Sequence, residues 1–206
     1  MSESGLLGAF EVQVSGVAVP PGAWRLNKAR SLLKLLALAE GNRLHRDAVV
    51  DTLWPKLGAA AGTNNLHQAL HAARRALAEA GASADVLRLR DGVLALCPDG
   101  GLETDVQDLE KELPHALASD DPDLLLVVGR YGAGLLPDVR YEDWLRPQQE
   151  RVAAMHRRAV LSAATGLIAQ GRGNEAASAL RSTTDARPTD EEVHRALMLA
   201  YDAAGR

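Results

Sequence analysis

The stretch that decides the fold is Trp54-Pro55 followed by Asn64-Asn65-Leu66-His67-Gln68-Ala69-Leu70-His71-Ala72-Ala73-Arg74-Arg75-Ala76-Leu77. It predicts an amphipathic helix over about residues 63–80, because Leu66, Leu70, Ala73 and Leu77 share one face at 100° per residue. The opposite face carries Asn64, Gln68, His71 and Arg75, flanked by His67 and Arg74. Amides and guanidinium groups on such a helix suit base reading in a DNA major groove. An ordinary solvated helix face has the same pattern.

The segments on either side of this helix predict a winged helix-turn-helix. Alternating apolar residues predict a strand over 10–14 and a partner over 17–19, and leucine-rich segments predict helices over 28–39 and 46–54. Residues 55–62 have the composition of a loop, and Thr63 is the expected N-cap of the third helix. After that helix, Asp91-Gly92 separates two alternating runs, which predicts a hairpin over about 86–97 that serves as the wing.

Composition predicts two domains with different roles. Residues 1–100 carry 11 Lys and Arg against 9 Asp and Glu, whereas residues 101–206 carry 12 against 18. This change of sign predicts a winged-helix domain over 1–100 and a separate all-helical domain over 101–206. A single cysteine and no apolar run of bilayer length predict a soluble, cytoplasmic protein with no membrane partner.

The second half predicts helices throughout and contains a short repeat. Apolar spacing predicts helices over 105–118, 122–131 and 141–170. Gln170-Gly171-Arg172 recurs as Ala204-Gly205-Arg206 at an offset of 34 residues, which is the tetratricopeptide spacing. Repeats of this kind need stacked neighbours, so we expect the helical domain to be truncated at residue 206.

Taken together, these segments resemble regulators of the Streptomyces antibiotic regulatory protein type. The matching motifs are Lys28-Ala29-Arg30, Leu53-Trp54-Pro55, Asn64-Asn65-Leu66, Arg74-Arg75-Ala76-Leu77, Gly134-Leu135-Leu136-Pro137, Tyr141-Glu142-Asp143-Trp144 and Glu191-Glu192-Val193-His194-Arg195-Ala196-Leu197-Met198. The resemblance implies a response-regulator-type (OmpR/PhoB-like) winged helix followed by a tetratricopeptide-like bacterial transcriptional activator domain. The implied fold class is mainly α with small β elements.

The same resemblance implies partners and a function. They are double-stranded DNA, RNA polymerase and a second protomer in a homodimer on DNA. The resemblance implies no known ligand, and an unknown small-molecule effector is a further candidate partner. The implied function is sequence-specific transcriptional activation without catalysis. The chain departs from the family pattern at His67 and His71, where arginine or a small hydroxyl residue is more common. A neutral imidazole attracts phosphate less than guanidinium does, so we expect lower or more pH-dependent DNA affinity.

Nine side chains are the candidate DNA contacts. For base reading we expect Asn64, Gln68 and His71, because they lie farthest from the leucine stripe. For phosphate binding we expect Lys28, His67, Arg74, Arg75, Arg88 and Arg90. Lys28 opens a predicted helix, where free backbone N–H groups also favour anions, and Arg88 and Arg90 share one face of the predicted wing.

Other classes of function find little support in the sequence. His67 and His71 have metal-ligand spacing, but Gln68-Ala69-Leu70 between them supplies no catalytic Glu. No nucleophile with a base and no nucleotide cradle is present, so we expect no enzyme, no cofactor and no metal. The alternative is a protein-interaction or ligand-sensing scaffold whose winged helix no longer binds DNA.

Overall fold

A computed structural model describes residues 2–119, 121–129, 134–137, 139, 142–186 and 188–205. The chain divides into two compact units, residues 1–105 and 106–206. The predicted fold class is confirmed: the chain is mainly helical, with small sheets confined to the first unit. Within the described part of the chain, no helix has both the length and the apolar character needed to cross a membrane.

The first unit is a winged helix with two small sheets. Its elements are β1 (Ser2–Gly5), β2 (Glu11–Val14), β3 (Val17–Ala18), α1 (Asn27–Leu38), β4 (Arg43–His45), α2 (Arg46–Leu53), α3 (Ala59–Glu79), β5 (Leu87–Arg90), β6 (Val93–Leu96) and β7 (Leu102–Thr104). One sheet has the strand order β3-β2-β1-β7 and the other β4-β6-β5. Leucines and alanines of α1, α2 and α3 form the core, as the low aromatic content requires.

The N-terminal sheet contains two strands that the sequence pattern did not predict. β1 pairs antiparallel with β2, and it also pairs parallel with β7, about a hundred residues later in the chain. The Asp105 carboxylate closes this arrangement, because it accepts hydrogen bonds from the backbone N–H groups of Leu6 and Leu7 at 2.9 and 2.7 Å. β1 contains no apolar residue and β7 contains only Leu102, so neither strand leaves an alternating apolar signal.

The third helix begins earlier than expected. The predicted loop up to residue 62 and the N-cap at Thr63 are wrong, since α3 starts at Ala59 with Gly58 as its N-cap. Ala59, Ala60 and Ala61 are strong helix formers and extend the helix backwards. Gly62 is retained inside the helix because a Cβ there would lie 2.4 Å from Cγ1 of Val50, where α2 and α3 meet.

The second unit is helical. It contains α4 (Asp105–Ser119), α5 (Pro122–Gly129), α6 (Arg146–Ala169), α7 (Gly173–Ala186) and α8 (Glu191–Ala203). The helix predicted to begin at Tyr141 begins instead at Arg146, after a short 3₁₀ turn over Asp143–Leu145. The predicted limits at Tyr131 and Tyr141 lie outside the described residues. Small side chains of α6, α7 and α8 pack into one core around Leu167, Leu180 and Val193.

The 34-residue spacing of the sequence has a structural counterpart. α6 ends at Ala169 and α8 ends at Ala203, 34 residues later, and each end is followed by a glycine with positive φ. At the same offset, Gly166 lies against Pro122 at the start of α5, and Ala200 lies against Gly173 at the start of α7. Small residues at equivalent positions therefore allow each helix pair to approach closely.

Candidate nucleic-acid interface

The two faces of α3 separate as the periodicity predicted. The buried face consists of Gly62, Leu66, Ala69, Leu70, Ala73, Ala76 and Leu77. On the opposite side, Asn64, His67, Gln68, His71 and Arg75 are all exposed. Two of the six predicted phosphate contacts and all three predicted base-reading residues therefore lie on one solvent-facing surface. Because the helix begins at Ala59, these residues start in its second turn rather than at its N-terminus.

Arg74 has a different environment from its neighbour Arg75. Its position on the helical wheel is only about 80° from the leucine stripe, and the side chain is half-buried. Its Nε donates a hydrogen bond of 2.8 Å to the carbonyl oxygen of Leu87, the first residue of β5. Arg74 thus joins α3 to the wing, a role that the sequence pattern did not suggest.

Replacing Arg74 by alanine is expected to destabilise the first unit by about 1.5–3 kcal/mol, because a partly buried carbonyl loses its charged donor. Urea unfolding of the full chain measures this loss. Arg75→Ala is the matched control: Arg75 is exposed and its one ion pair, to Glu79, is 3.9 Å long. An equal loss of stability in the two variants would show that the Arg74 bond contributes nothing specific.

The wing is a hairpin whose turn has the expected backbone conformation. Asp91 and Gly92 both have positive φ, 51° and 78°, as a two-residue turn between β5 and β6 requires. Arg90 beside the turn is 80% exposed and reaches Asp91 at 3.5 Å. Arg88 is engaged more fully, since its guanidinium pairs with Asp85 at 3.5 Å and with Asp99 at 3.2 Å. Arg88 therefore carries less free positive charge than its sequence position suggests.

A third strand adds basic residues that the sequence analysis missed. β4 pairs with β6 so that Arg43 and Arg88 flank Ala95, while His45 and Arg90 flank Val93. Because directly paired residues share a face of a sheet, the outer face of this sheet carries four basic side chains. The signal available in the sequence was Leu44, an apolar residue with a basic residue on each side, as in a short strand.

The tip of the wing is fixed against the start of α2. The backbone N–H of Arg46 donates to the carbonyl of Gly92 at 2.8 Å. The imidazole of His45 lies so close that a Cβ on Gly92 would come within 3.0 Å of its Nε2. Arg46 itself is exposed and pairs with Asp47 at 3.2 Å. The wing tip and the first residues of α2 therefore form one continuous edge of basic side chains, which pair with Asp47 and Asp91.

Lys28 belongs to a different helix from the candidate contacts on α3. It is the second residue of α1 and is half-buried. In the described part of the chain, no hydrogen bond or ion pair joins it to the other predicted DNA contacts. Across the same described residues, no three His, Cys, Asp or Glu side chains are grouped as a metal site would need, and His67 and His71 stand as a pair.

Comparison with known proteins bears on both units. Residues 127–206 match the family model of the bacterial transcriptional activator domain. The structure of Mycobacterium tuberculosis EmbR in complex with a low affinity phosphopeptide aligns with all of this chain, at a TM-score of 0.77 and 22% identity. The chain spans 55% of the length of that protein. No curated protein sequence matches it.

The order of elements, the matched domain and the shared fold agree with one another. A winged helix with an exposed polar face on α3 occupies the first unit, and the matched domain model falls within the second. These findings support the resemblance seen in the sequence: residues 127–206 are similar to the bacterial transcriptional activator domain, and the whole chain shares its fold with EmbR.

Proposed function

We propose that this chain activates transcription by binding specific double-stranded DNA sequences through its winged helix. The observation that carries the proposal is the exposed face of α3, where two amides, two imidazoles and a guanidinium stand opposite a fully buried apolar stripe. The amides of Asn64 and Gln68 each offer a donor and an acceptor that complement the N7 acceptor and N6–H₂ donor of adenine in a major groove. The basic edge of the wing supports this by offering charge to the phosphate backbone.

The other partners follow from the family and remain proposals for this chain. RNA polymerase is the proposed target of the activator domain, and two protomers side by side on DNA are the proposed binding unit. A small-molecule effector and a tetratricopeptide-like role for the helical unit are further proposals. We also propose that the protein is cytoplasmic and that its function is recognition without catalysis.

The test is fluorescence anisotropy with duplexes selected from a random pool, measured over a range of salt concentrations. We expect affinity to fall steeply with salt, because released counterions drive phosphate binding. Asn64→Ala and Gln68→Ala should each weaken the selected site by about 1–3 kcal/mol and relax the sequence preference at one position. Arg75→Ala and Arg90→Ala should instead weaken all sequences alike and lower the salt slope by about one.

A matched control comes from the second unit. Arg181 is an exposed arginine of α7, so Arg181→Ala changes the net charge as Arg75→Ala does without touching α3 or the wing. Its affinity for DNA should stay within about twofold of the parent chain, since an exposed charge outside the contact surface is largely screened by salt. Failure to bind any duplex at low salt, or equal losses in Arg181→Ala and Arg75→Ala, would contradict the proposal.

A scaffold that holds protein or ligand, with a winged helix that no longer binds DNA, is the second candidate. The pairing of Arg88 with Asp85 and Asp99 favours it, because carboxylates already neutralise part of the wing. The same titration separates the two: a scaffold gives no selected sequence, and its partner binding survives Asn64→Ala and Gln68→Ala.

A further inference from the structure

The exposed face of α3 carries no cation along the stretch that would reach base edges. Asn64, His67, Gln68 and His71 are exposed, and residues 64–73 contain neither arginine nor lysine. At 1.5 Å per residue, Asn64 and His71 lie about 10 Å apart along the helix axis, which fits a DNA major groove about 12 Å wide. We refer to these two amides and two imidazoles as the α3 reading residues.

The two arginines that follow are poorly placed to read bases. Arg74 is half-buried, and its Nε donates to the carbonyl oxygen of Leu87 at 2.8 Å, so that donor is already used within the fold. Arg75 lies about 16 Å from Asn64 along the axis, farther than the groove is wide. Bidentate arginine or lysine is the commonest specific contact to guanine in a major groove. Within α3, Ala59–Glu79, no side chain is therefore placed for that contact.

The chemistry of the α3 reading residues favours adenine over guanine. A carboxamide offers one donor and one acceptor, which match the N7 and N6–H₂ of adenine, whereas the N7 and O6 of guanine are both acceptors. A neutral imidazole offers one N–H donor, which suits the N7 that both purines present and so does not select between them. The choice of base is therefore left to Asn64 and Gln68.

We propose that the DNA ligand of this chain contains an A·T core of about three base pairs, in which Asn64 and Gln68 each bind an adenine. Three base pairs at about 3.4 Å cover the length of the α3 reading residues. This inference rests on the proposed function and adds the base composition of the ligand to it. The bond from Arg74 to Leu87 then contributes to specificity as well as stability, because it withholds a guanine-reading group from the groove.

Selection of duplexes from a random pool by the full chain tests the composition of the core, and we expect about three adjacent A·T pairs. Replacing these by inosine–cytosine pairs separates base reading from recognition of groove shape. Inosine presents the guanine pattern in the major groove but lacks the amino group that guanine places in the minor groove. We expect affinity to fall about a hundredfold or more, since each wrong base pair costs about fivefold or more.

Substitution by 7-deaza-adenine, in which a C–H group replaces N7, locates the two amide contacts. At the adenine bound by Gln68 we expect the parent chain to lose about tenfold in affinity. Gln68→Ala has already lost this contact, so the same substitution should cost that variant less than about twofold. The corresponding comparison with Asn64→Ala should identify a second adenine in the core.

Gln68→Arg supplies the guanidinium that the α3 reading residues lack. We expect the preferred base at one core position to change from adenine to guanine, by about tenfold in relative affinity. Ala78→Arg is the matched control, because Ala78 is an exposed residue of the same helix, about 15 Å farther along it. It adds the same charge and should tighten binding to all duplexes alike, without a change of base preference. Thermal unfolding checks that both variants remain folded.

The outcomes separate this inference from the proposed function. Selected sites with a G·C core, or unchanged affinity for inosine-substituted sites, would overturn the A·T core while retaining sequence-specific DNA binding. The same change of base preference in Gln68→Arg and Ala78→Arg would also overturn it. A chain that selects no sequence would remove both the A·T core and the proposed function.

Discussion

Replacing Gly173 by alanine is expected to destabilise the second unit by about 1–3 kcal/mol, the typical cost of overpacking a closed contact. Gly173 is the first residue of α7, at its contact with the end of α8. A Cβ there would lie 2.6 Å from the backbone N of Ala204, 2.8 Å from the carbonyl O of Ala200 and 2.8 Å from the carbonyl C of Ala203. Backbone atoms have no rotamer to change, so the helices must separate.

Gly166→Ala is the control for this prediction. It is also a helical glycine of the same unit, but the atoms nearest to its Cβ would be those of the Pro122 ring, at 3.2 Å and beyond. Alanine gains about 1 kcal/mol of helix propensity over glycine, and this gain should offset the small shift of the ring. We therefore expect the free energy of unfolding of Gly166→Ala to stay close to that of the parent chain.

Urea unfolding followed by fluorescence measures both variants. Trp144 lies in the second unit, whereas Trp24 and Trp54 lie in the first. A background with Trp24→Phe and Trp54→Phe therefore reports the second unit alone, which matters because two units need not unfold together. Equal unfolding free energies for Gly173→Ala and Gly166→Ala would show that the close contact of α7 with α8 is not needed for stability.

Replacing Asp190 by alanine is expected to cost about 2–3 kcal/mol, since it removes a helix cap and breaks a partly buried ion pair. Asp190 is the N-cap of α8, where its Oδ1 accepts from the backbone N–H of Val193 at 3.2 Å. The Arg157 guanidinium of α6 donates to both carboxylate oxygens, and its Nη2 lies 3.1 Å from Oδ1. One side chain thus caps the start of α8 and joins that helix to α6.

Asp190→Asn separates these two contributions. The amide oxygen keeps the cap to Val193, while the negative charge that faces Arg157 is lost. We expect the free energy of unfolding of Asp190→Asn to lie between those of the parent chain and Asp190→Ala. If Asn and Ala cost the same, the cap contributes nothing and the ion pair accounts for the whole effect.

The same residue gives the second unit an acid dependence. Hydrogen bonds from Arg157 lower the pKa of Asp190 from its ordinary 3.8 to about 2. Because the folded state holds the carboxylate in its charged form, the stabilisation is present above about pH 4 and is lost as the pH falls towards 2. The free energy of unfolding of Asp190→Asn should therefore change less between these pH values than that of the parent chain. An equal pH dependence of the unfolding free energy in the two proteins would contradict the role given to the Asp190 carboxylate.

The sequence by itself determined the parts of this protein that depend on local periodicity. The exposed and buried faces of α3 follow from a spacing of three and four residues, and the wing turn follows from Asp91-Gly92, which readily adopts positive φ. The equivalence of the ends of α6 and α8 follows from the 34-residue offset between two similar stretches of the sequence. Such features need no information from elsewhere in the chain.

Tertiary structure alone decided what depends on distant partners. β7 forms a strand because it pairs with β1. The helix α3 begins at Ala59, and its Gly62 packs closely against Val50. Arg74 turns towards the Leu87 carbonyl although its sequence position favoured a role on DNA. Each of these results is a pairing between residues many positions apart. Such pairings are determined by the need to satisfy hydrogen bonds and to pack closely, and local propensity contains no information about them.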